Sequence, residues 1–356
     1  MSNIELGLDT FGDVTADADG RQLPHARVLR DVVAEAELAD RLNVDFIGLG
    51  EHHRPDFSIS APEVVLGAIA GRTTRIKLGT AVTVLSTDDP VRVYERFATL
   101  DALSNGRAEI ILGRGSFTES FPLFGYSLED YNDLFEEKLA LFAAIRDADR
   151  SGRPISWRGK VRPPVEVASV TPRLERPPLG AWVGVGGSPE SVVRAARYGF
   201  PLTLAIIGGD PRRFLPYVEL YHRALGQLGL PMLPVGIHSP GHVGESDAGA
   251  RDELWPHYEV MRNRIGAERG WPRTSRAEFE REVAAGSLYV GSPGTVARKI
   301  AATARALGAS RFDLKYSAGT LPHEGMMRSI ERYGRDVMPR VRALVAGTST
   351  PVEAAS

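Results

Sequence analysis

Two adjacent histidines, His52 and His53, stand between Glu51 and Arg54 at the end of the run Asp45-Phe46-Ile47-Gly48-Leu49-Gly50. This is the densest cluster of ionisable groups in the chain. An imidazole titrates near neutral pH, so the cluster reads as acid–base chemistry. In parallel α/β proteins the carboxyl ends of strands are where ligands meet the chain. Side chains alternate faces along a strand. Ile47 and Leu49 therefore share a face suited to packing under helices, while Phe46, Gly48, Gly50 and His52 share the other. His52 is expected to point at a ligand, with the glycines leaving room beneath it, and His53 to point away. The competing reading is a polar strand end that caps a turn. Flanking Glu and Arg favour chemistry, because loops on strand ends carry function disproportionately.

A repeated alternation must position these residues. Apolar strand-like runs cover residues 4–8, 45–50, 76–85, 108–112, 181–185, 202–207, 235–243 and 311–316. Between them lie stretches of helical period, including residues 28–42, 93–103, 129–148, 188–198, 211–228, 247–265 and 293–307. Asp89-Pro90 and Ser188-Pro189 are helix starts, and Asn105-Gly106 is a helix stop. The second, third and fourth strands begin one βα unit apart. Eight strands alternating with helices give an α/β fold, a (β/α)8 TIM barrel with insertions after strand 4 and after strand 7. An open doubly wound sheet is the alternative. Residues 1–347 are expected to form one barrel domain, with insertions at 151–180 and 267–287, and 348–356 a flexible small-residue tail. Six prolines between 154 and 178 make the first insertion an extended excursion. The polar second one could fold as a lid. Both insertions are expected to set the substrate.

Composition removes several classes. The chain of 356 residues is 43% hydrophobic and 25% charged, with a formal charge of −2. No basic patch speaks for nucleic acid. No apolar run reaches membrane-spanning length. The absence of cysteine excludes disulfides, thiolate zinc sites and cysteine nucleophiles. Adjacent histidines on alternating faces do not converge on one metal, so no metal site is expected. A cytoplasmic enzyme is the default expectation.

Three Gly-rich strand ends compete as anion sites. Gly113-Arg114-Gly115-Ser116 can present a guanidinium and backbone N–H groups to a phosphate, or be a turn with a surface arginine. Gly186-Gly187-Ser188-Pro189 starts a helix whose free N–H groups could take a phosphate, although Glu190 already satisfies the helix dipole. Gly291-Ser292-Pro293-Gly294 carries the same signature. Residue pattern does not choose between the last two.

Gly50-Glu51-His52-His53-Arg54-Pro55-Asp56-Phe57, Leu78-Gly79-Thr80-Ala81-Val82-Thr83-Val84-Leu85, Asp89-Pro90-Val91-Arg92, Gly113-Arg114-Gly115-Ser116 and Phe121-Pro122-Leu123-Phe124-Gly125 occur in this order. Together they resemble the bacterial-luciferase-like flavin monooxygenases. The resemblance implies a barrel, usually dimeric, that uses reduced FMN from a separate NAD(P)H flavin reductase, or the deazaflavin F420. It makes His52, beside Glu51, the active-site histidine. It places Arg114, Gly115, Gly186, Gly187, Ser188 and Ser191 at the flavin phosphate, and a cis peptide at Ala81–Val82 under the flavin ring. It thereby favours the Gly186 turn over the Gly291 one. Gly113 stands where the bacterial luciferase has a cysteine, so light emission on a long aldehyde is not implied. The expected activity is monooxygenation of a small organic substrate. F420-dependent hydride transfer and a non-catalytic flavin-binding protein are the alternatives. A homodimer through helices two and three is expected, with Tyr94 beside Phe97 offering apolar contact.

Overall fold

The computed structural model describes residues 4–17 and 19–347; the expected tail at 348–356 lies outside them. Eight parallel strands form the wall: β1 (Glu5–Thr10), β2 (Phe46–Leu49), β3 (Lys77–Thr80), β4 (Glu109–Gly113), β5 (Gly180–Val185), β6 (Leu202–Ala205), β7 (Val235–Val243) and β8 (Arg311–Lys315). Each strand pairs with its sequence neighbour, and β8 returns to β1 with Glu5 opposite Arg311. Closure between β3 and β4 comes in two pieces. Leu78 bridges Ala108, and the short continuation Thr83–Val84 pairs with Leu112 and Gly113. The cis peptide Ala81–Val82 lies in the break between them.

Alternation along the strands sorts the core into two compartments. Ile47, Leu49, Leu78, Ile110, Leu112, Val183 and Leu204 face outward, buried under the helices. Each such aliphatic side chain contributes about 1.5–3 kcal/mol on burial. Phe46, Ile111 and Trp182 face inward and form a separate cluster with Val82 against it. Arg311 lies among them, its guanidinium 3.6 Å from the Phe46 ring centroid and 5.1 Å from that of Trp182. It bonds both carboxylate oxygens of Asp313, at 3.0 and 2.9 Å, and Glu109 from the opposite wall. A fully buried cation is tolerable only with such partners. These side chains fill the lower half of the barrel.

The helices run close to their expected spans. They include α1 (His25–Arg41), α2 (Pro62–Ala70), α3 (Pro90–Ser104), α4 (Tyr131–Ser151), α5 (Pro189–Arg197) and α6 (Leu215–Gln227). Asp89 caps α3 by accepting from the Val91 and Arg92 N–H groups at 2.9 and 3.4 Å. Tyr94 does not offer an apolar surface to a second chain. It is fully buried, its ring meets Phe142, and its hydroxyl donates to Asp149 at 2.8 Å. Its place on the inner side of α3, toward α4, outweighs the exposed position expected for it.

The proline-rich excursion leaves the C-terminus of α4 and folds as a hairpin, Ile155–Trp157 against Val165–Ala168. It lies along the outside of α4. Val161 N–H donates to Glu137 at 2.9 Å, and Arg162 Nε reaches Asp89, the cap of α3, at 2.6 Å. This position, outside the helical layer, does not support the expectation that the segment shapes the substrate site.

The excursion after β7 crosses the end of the barrel where His52 lies. It is larger than residues 267–287, because it begins with α7 (Asp247–Arg269) and continues through α8 (Arg276–Ala285) before α9 (Pro293–Leu307) resumes the barrel. Along α7, His257 Nδ1 lies 2.8 Å from Thr320 after β8, Arg264 lies 3.9 Å from Asp56 after β2, and Arg269 donates to Ser116 O after β4 at 3.1 Å. A helix touching loops from three separate strands crosses the mouth of the barrel. Among the described residues no helix is long and apolar enough to cross a membrane.

Candidate active site

The alternation that begins at Phe46 continues past β2. A Cβ at Gly50 would overlap the Phe11 ring, so the glycine lets Phe11 fold across the strand end. His52 follows on the same side. Its ring stacks on Phe57 at 4.6 Å, tilts against Phe11 at 4.8 Å and meets Phe117 edge-on at 5.0 Å. Nδ1 lies 3.4 Å from Glu119 Oε1, which leaves Nε2 without a protein partner among the described residues. Burial would raise the Glu119 carboxyl, but hydrogen bonds from His52 and the His53 backbone outweigh it and hold the group below its usual range.

His53 diverges. Its Nε2 lies 2.9 Å from Glu51 Oε1, and its ring meets Phe124 edge-on at 4.9 Å. Glu51 also accepts the Val84 N–H at 2.8 Å through its other oxygen, while its own N–H donates to Val82 O at 3.2 Å. Glu51 thus holds two residues beyond the cis peptide bond, Val82 by its N–H and Val84 by its carboxylate. Ala81 N–H donates to Leu49 O at 2.9 Å. The Val82 side chain projects over Gly113 and Gly184, where any Cβ would collide with it. Val82 is a platform in the barrel interior, one strand from His52.

Arg114 and the Gly186 turn come together across β4 and β5. Arg114 Nη1 donates to Asn132 Oδ1 at 3.1 Å, its guanidinium lies 5.2 Å from the Tyr131 ring centroid, and it pairs with no carboxylate among the described residues. Tyr131 donates to Gly115 O at 2.8 Å, fixing the loop that carries Arg114. Across the gap, Ser188 Oγ accepts the Ser191 N–H and lies 3.2 Å from Ser191 Oγ, which is 3.3 Å from Arg194 Nη1. Gly187 has φ +108°, a conformation open to glycine, and a Cβ at Gly186 would meet nothing within 4 Å. Glu190 is held below the usual carboxylate range by its own backbone N–H and Ser188, with Arg114 and Arg194 adding to this. Arg194 is already paired with Glu136 and Ser188 Oγ donates to Glu190 at 2.9 Å, so Arg114, Ser191 Oγ and the open glycine turn are the groups that could meet a phosphate.

The Gly291 turn is already satisfied. Asp247 accepts the Ser292 N–H at 2.7 Å and the Thr295 hydroxyl at 3.0 Å, so the chain's own carboxylate occupies the position an anion would take. These bonds, the backbone one largest, hold Asp247 below its ordinary range.

Several contributors were not evident from sequence. His238, on the inward face of β7, has Nδ1 2.7 Å from Asp9 Oδ2 on β1 and stacks at 12° on Phe11, the ring that His52 also touches. Burial disfavours its charge, but Asp9 outweighs that and raises the imidazole above its ordinary value. The alternation Gly236, His238, Pro240 carried this signal. Nothing local marked Phe11, Phe117 or Glu119, which reach His52 from other loops.

This barrel sets a histidine at one strand end, an arginine and an open Gly–Ser turn further round the wall, and Val82 in the interior between them. A sequence profile described as Luciferase-like monooxygenase matches residues 10–311. The chain belongs to that family. It is 26% identical over 333 residues to the 4-hydroxyprotoasukamycin monooxygenase of Streptomyces nodosus subsp. asukaensis, covering 88% of this chain and 87% of that one. Its fold is similar to that of the oxygenating constituent of 3,6-diketocamphane monooxygenase from Pseudomonas putida in complex with FMN, with a TM-score of 0.75, 19% identity, and 95% and 98% of the two chains covered. It is equally similar, with a TM-score of 0.75, 14% identity, and 95% and 99% covered, to an F420-dependent secondary alcohol dehydrogenase.

Proposed function

We propose that the protein is a monooxygenase that uses reduced FMN, supplied by a separate flavin reductase, and O2 on a small organic substrate. The observation that carries this is the pairing of Arg114 with the Ser188–Ser191 turn. Arg114 hydrogen-bonds only a neutral amide among the described residues, which leaves its charge free for an anion. Bound reduced flavin would supply the two electrons needed to activate O2. Arg114, Gly115, Gly186, Gly187, Ser188 and Ser191 bind the phosphate, and Ala81 and Val82 support the ring. His52 moves a proton at Nε2, with Glu119 orienting the ring through Nδ1. Glu51 acts by positioning, since both its oxygens are committed to His53 and Val84. Phe11, Phe57 and Phe117 exclude water around His52.

The deciding experiment is anaerobic titration with reduced FMN followed by exposure to O2. Binding with accelerated flavin reoxidation supports the reading. Binding with no effect on oxygen consumption leaves a non-catalytic flavin-binding protein.

Hydride transfer from F420 is the second reading. It draws on Arg213, which lies over Phe214, the ring beside Gly187, and pairs with no carboxylate among the described residues. A free cation there suits a longer acidic tail. Affinity for F420 well above that for FMN would select it. We also propose a homodimer, with Val64 on α2 and Leu103 on α3 as exposed apolar positions, 74% and 67% accessible. A monomer mass by light scattering at micromolar concentration would overturn it.

A further inference from the structure

A cavity of about 370 Å3 lies beside the mouth, between the loop after β6, α7 and α8. This volume falls at the lower end of small-molecule sites, roughly 300–1,000 Å3. Ile207 and Gly208 form one wall, and Tyr258, Trp271 and Pro272 supply flat apolar surface opposite. Ile207 and Trp271 keep 62% and 39% of their surface exposed there, unusual for large apolar side chains that could pack elsewhere.

Charges in this cavity are unequally committed. Glu282 accepts the Gly209 N–H through both oxygens, at 3.1 and 3.0 Å, and the Ser287 N–H at 3.2 Å. Glu278 accepts the Ser275 N–H at 2.9 Å as half of a capping box. Neither of the two arginines forms an ion pair among the described residues, although Arg281 stands close enough to Glu278 to lower that carboxyl's pKa. Arg262 lies on the Trp271 ring at 4.0 Å and beside the Tyr258 hydroxyl, with Nη1 buried. Arg281 is exposed and forms no ion pair among the described residues. Both carboxylates are held in place by backbone amides, while both guanidinium groups are without a carboxylate in ion-pair contact.

The cavity also connects to the histidine. Arg269 lies 5.3 Å from the Trp271 ring and 4.6 Å from Phe117, which meets His52 edge-on. One stacked guanidinium separates the cavity wall from the ring beside His52.

We propose that this cavity binds an aromatic carboxylate, with the ring against Trp271 and Tyr258 and the carboxylate on Arg262 and Arg281. Planar guanidinium forks match carboxylates, and aromatic walls match a flat ring. That this ligand is the substrate rests on the flavoenzyme reading; its binding does not.

The test is calorimetric titration of the full chain, without flavin, using 2-naphthoate and the neutral analogue 2-naphthamide. Naphthoate should bind at least about tenfold more tightly, the scale of a charge-assisted contact. Arg262→Gln and Arg281→Gln should each weaken naphthoate severalfold and leave naphthamide unchanged, with thermal melts as the folding control. Arg281 is exposed, so its variant keeps the test valid if Arg262→Gln fails to fold. Equal affinity for the two probes, or naphthoate binding indifferent to both substitutions, overturns the proposal. So does binding of triglutamate in place of naphthoate, which would make the cavity a seat for an acidic cofactor tail. Arg114→Ala should retain naphthoate binding while losing FMN, so failure of either assignment leaves the other standing.

Discussion

Arg54 grips Glu268 through two hydrogen bonds of 2.6 Å, Nη1 to Oε2 and Nη2 to Oε1. The pair ties the loop after β2, where His52 resides, to the last turn of the helix crossing the mouth. It is bidentate, but Glu268 is about half exposed, so solvent screens it. Glu268→Ala should cost only about 0.2–1 kcal/mol of global stability. Amide exchange in residues 266–272 should nonetheless quicken, as read by mass spectrometry. Unchanged exchange would mean that Arg269 alone anchors the helix end.

The two histidines should separate by function. His52→Ala removes the imidazole among Phe11, Phe57 and Phe117 and should slow turnover roughly 10²–10⁴-fold, the scale of a positioned acid or base. Flavin binding and the melting temperature should hardly change. His53→Ala should have a far milder effect on turnover and lower the melting temperature, because Glu51 loses a partner in bracing Val82 and Val84. Stopped-flow flavin absorbance with parallel melts reads both. A dead His53→Ala beside an active His52→Ala would reverse the roles.

Arg114→Ala should weaken FMN by about 1.5–3 kcal/mol, the worth of a hydrogen bond to a charged group. Riboflavin, which lacks the phosphate, should bind almost as before. Fluorescence titration of both ligands decides the matter, and equal losses would take Arg114 away from the phosphate.

His238 gives stability a pH signature. Asp9 and Asp313 face it with negative charge and Lys315 with positive charge, and the balance raises its pKa above the ordinary 6.5. A raised pKa favours the folded state while the imidazole is protonated. The contribution is complete below about pH 6.5 and disappears as pH climbs through the folded-state value. Urea midpoints should therefore separate wild type from His238→Gln widely at about pH 5.5 and less at about pH 8.5. A gap that widens with pH would show that the imidazole is kept neutral.

Local alternation made the β2 register readable. Ile47 and Leu49 outward, with Phe46, Gly48 and Gly50 inward, is what a strand buried on both faces dictates. Pattern alone also placed the helix starts at Asp89 and Ser188, because caps are local chemistry. The route of α7 was not readable. Its period says helix, but its direction across the mouth is set by Thr320, Asp56 and Ser116, all distant in sequence. Tyr94 failed similarly: its stripe was visible, but which flank met α4 was a tertiary matter. That Asp247 fills the Gly291 turn was not readable either, because no local motif links it to Ser292.

Arg311, Phe46 and Trp182 plug the floor of the barrel. The opposite end, beneath α7, is consequently the side from which His52 is reached. Traffic from one side has an order: whichever molecule lies deeper has to arrive first and depart last. With Val82 lying inside the barrel and the aromatic cavity at its rim, a flavin bound as proposed would be the deeper guest. On the proposed reading, product would have to leave before spent cofactor could be exchanged, and turnover would follow a queue.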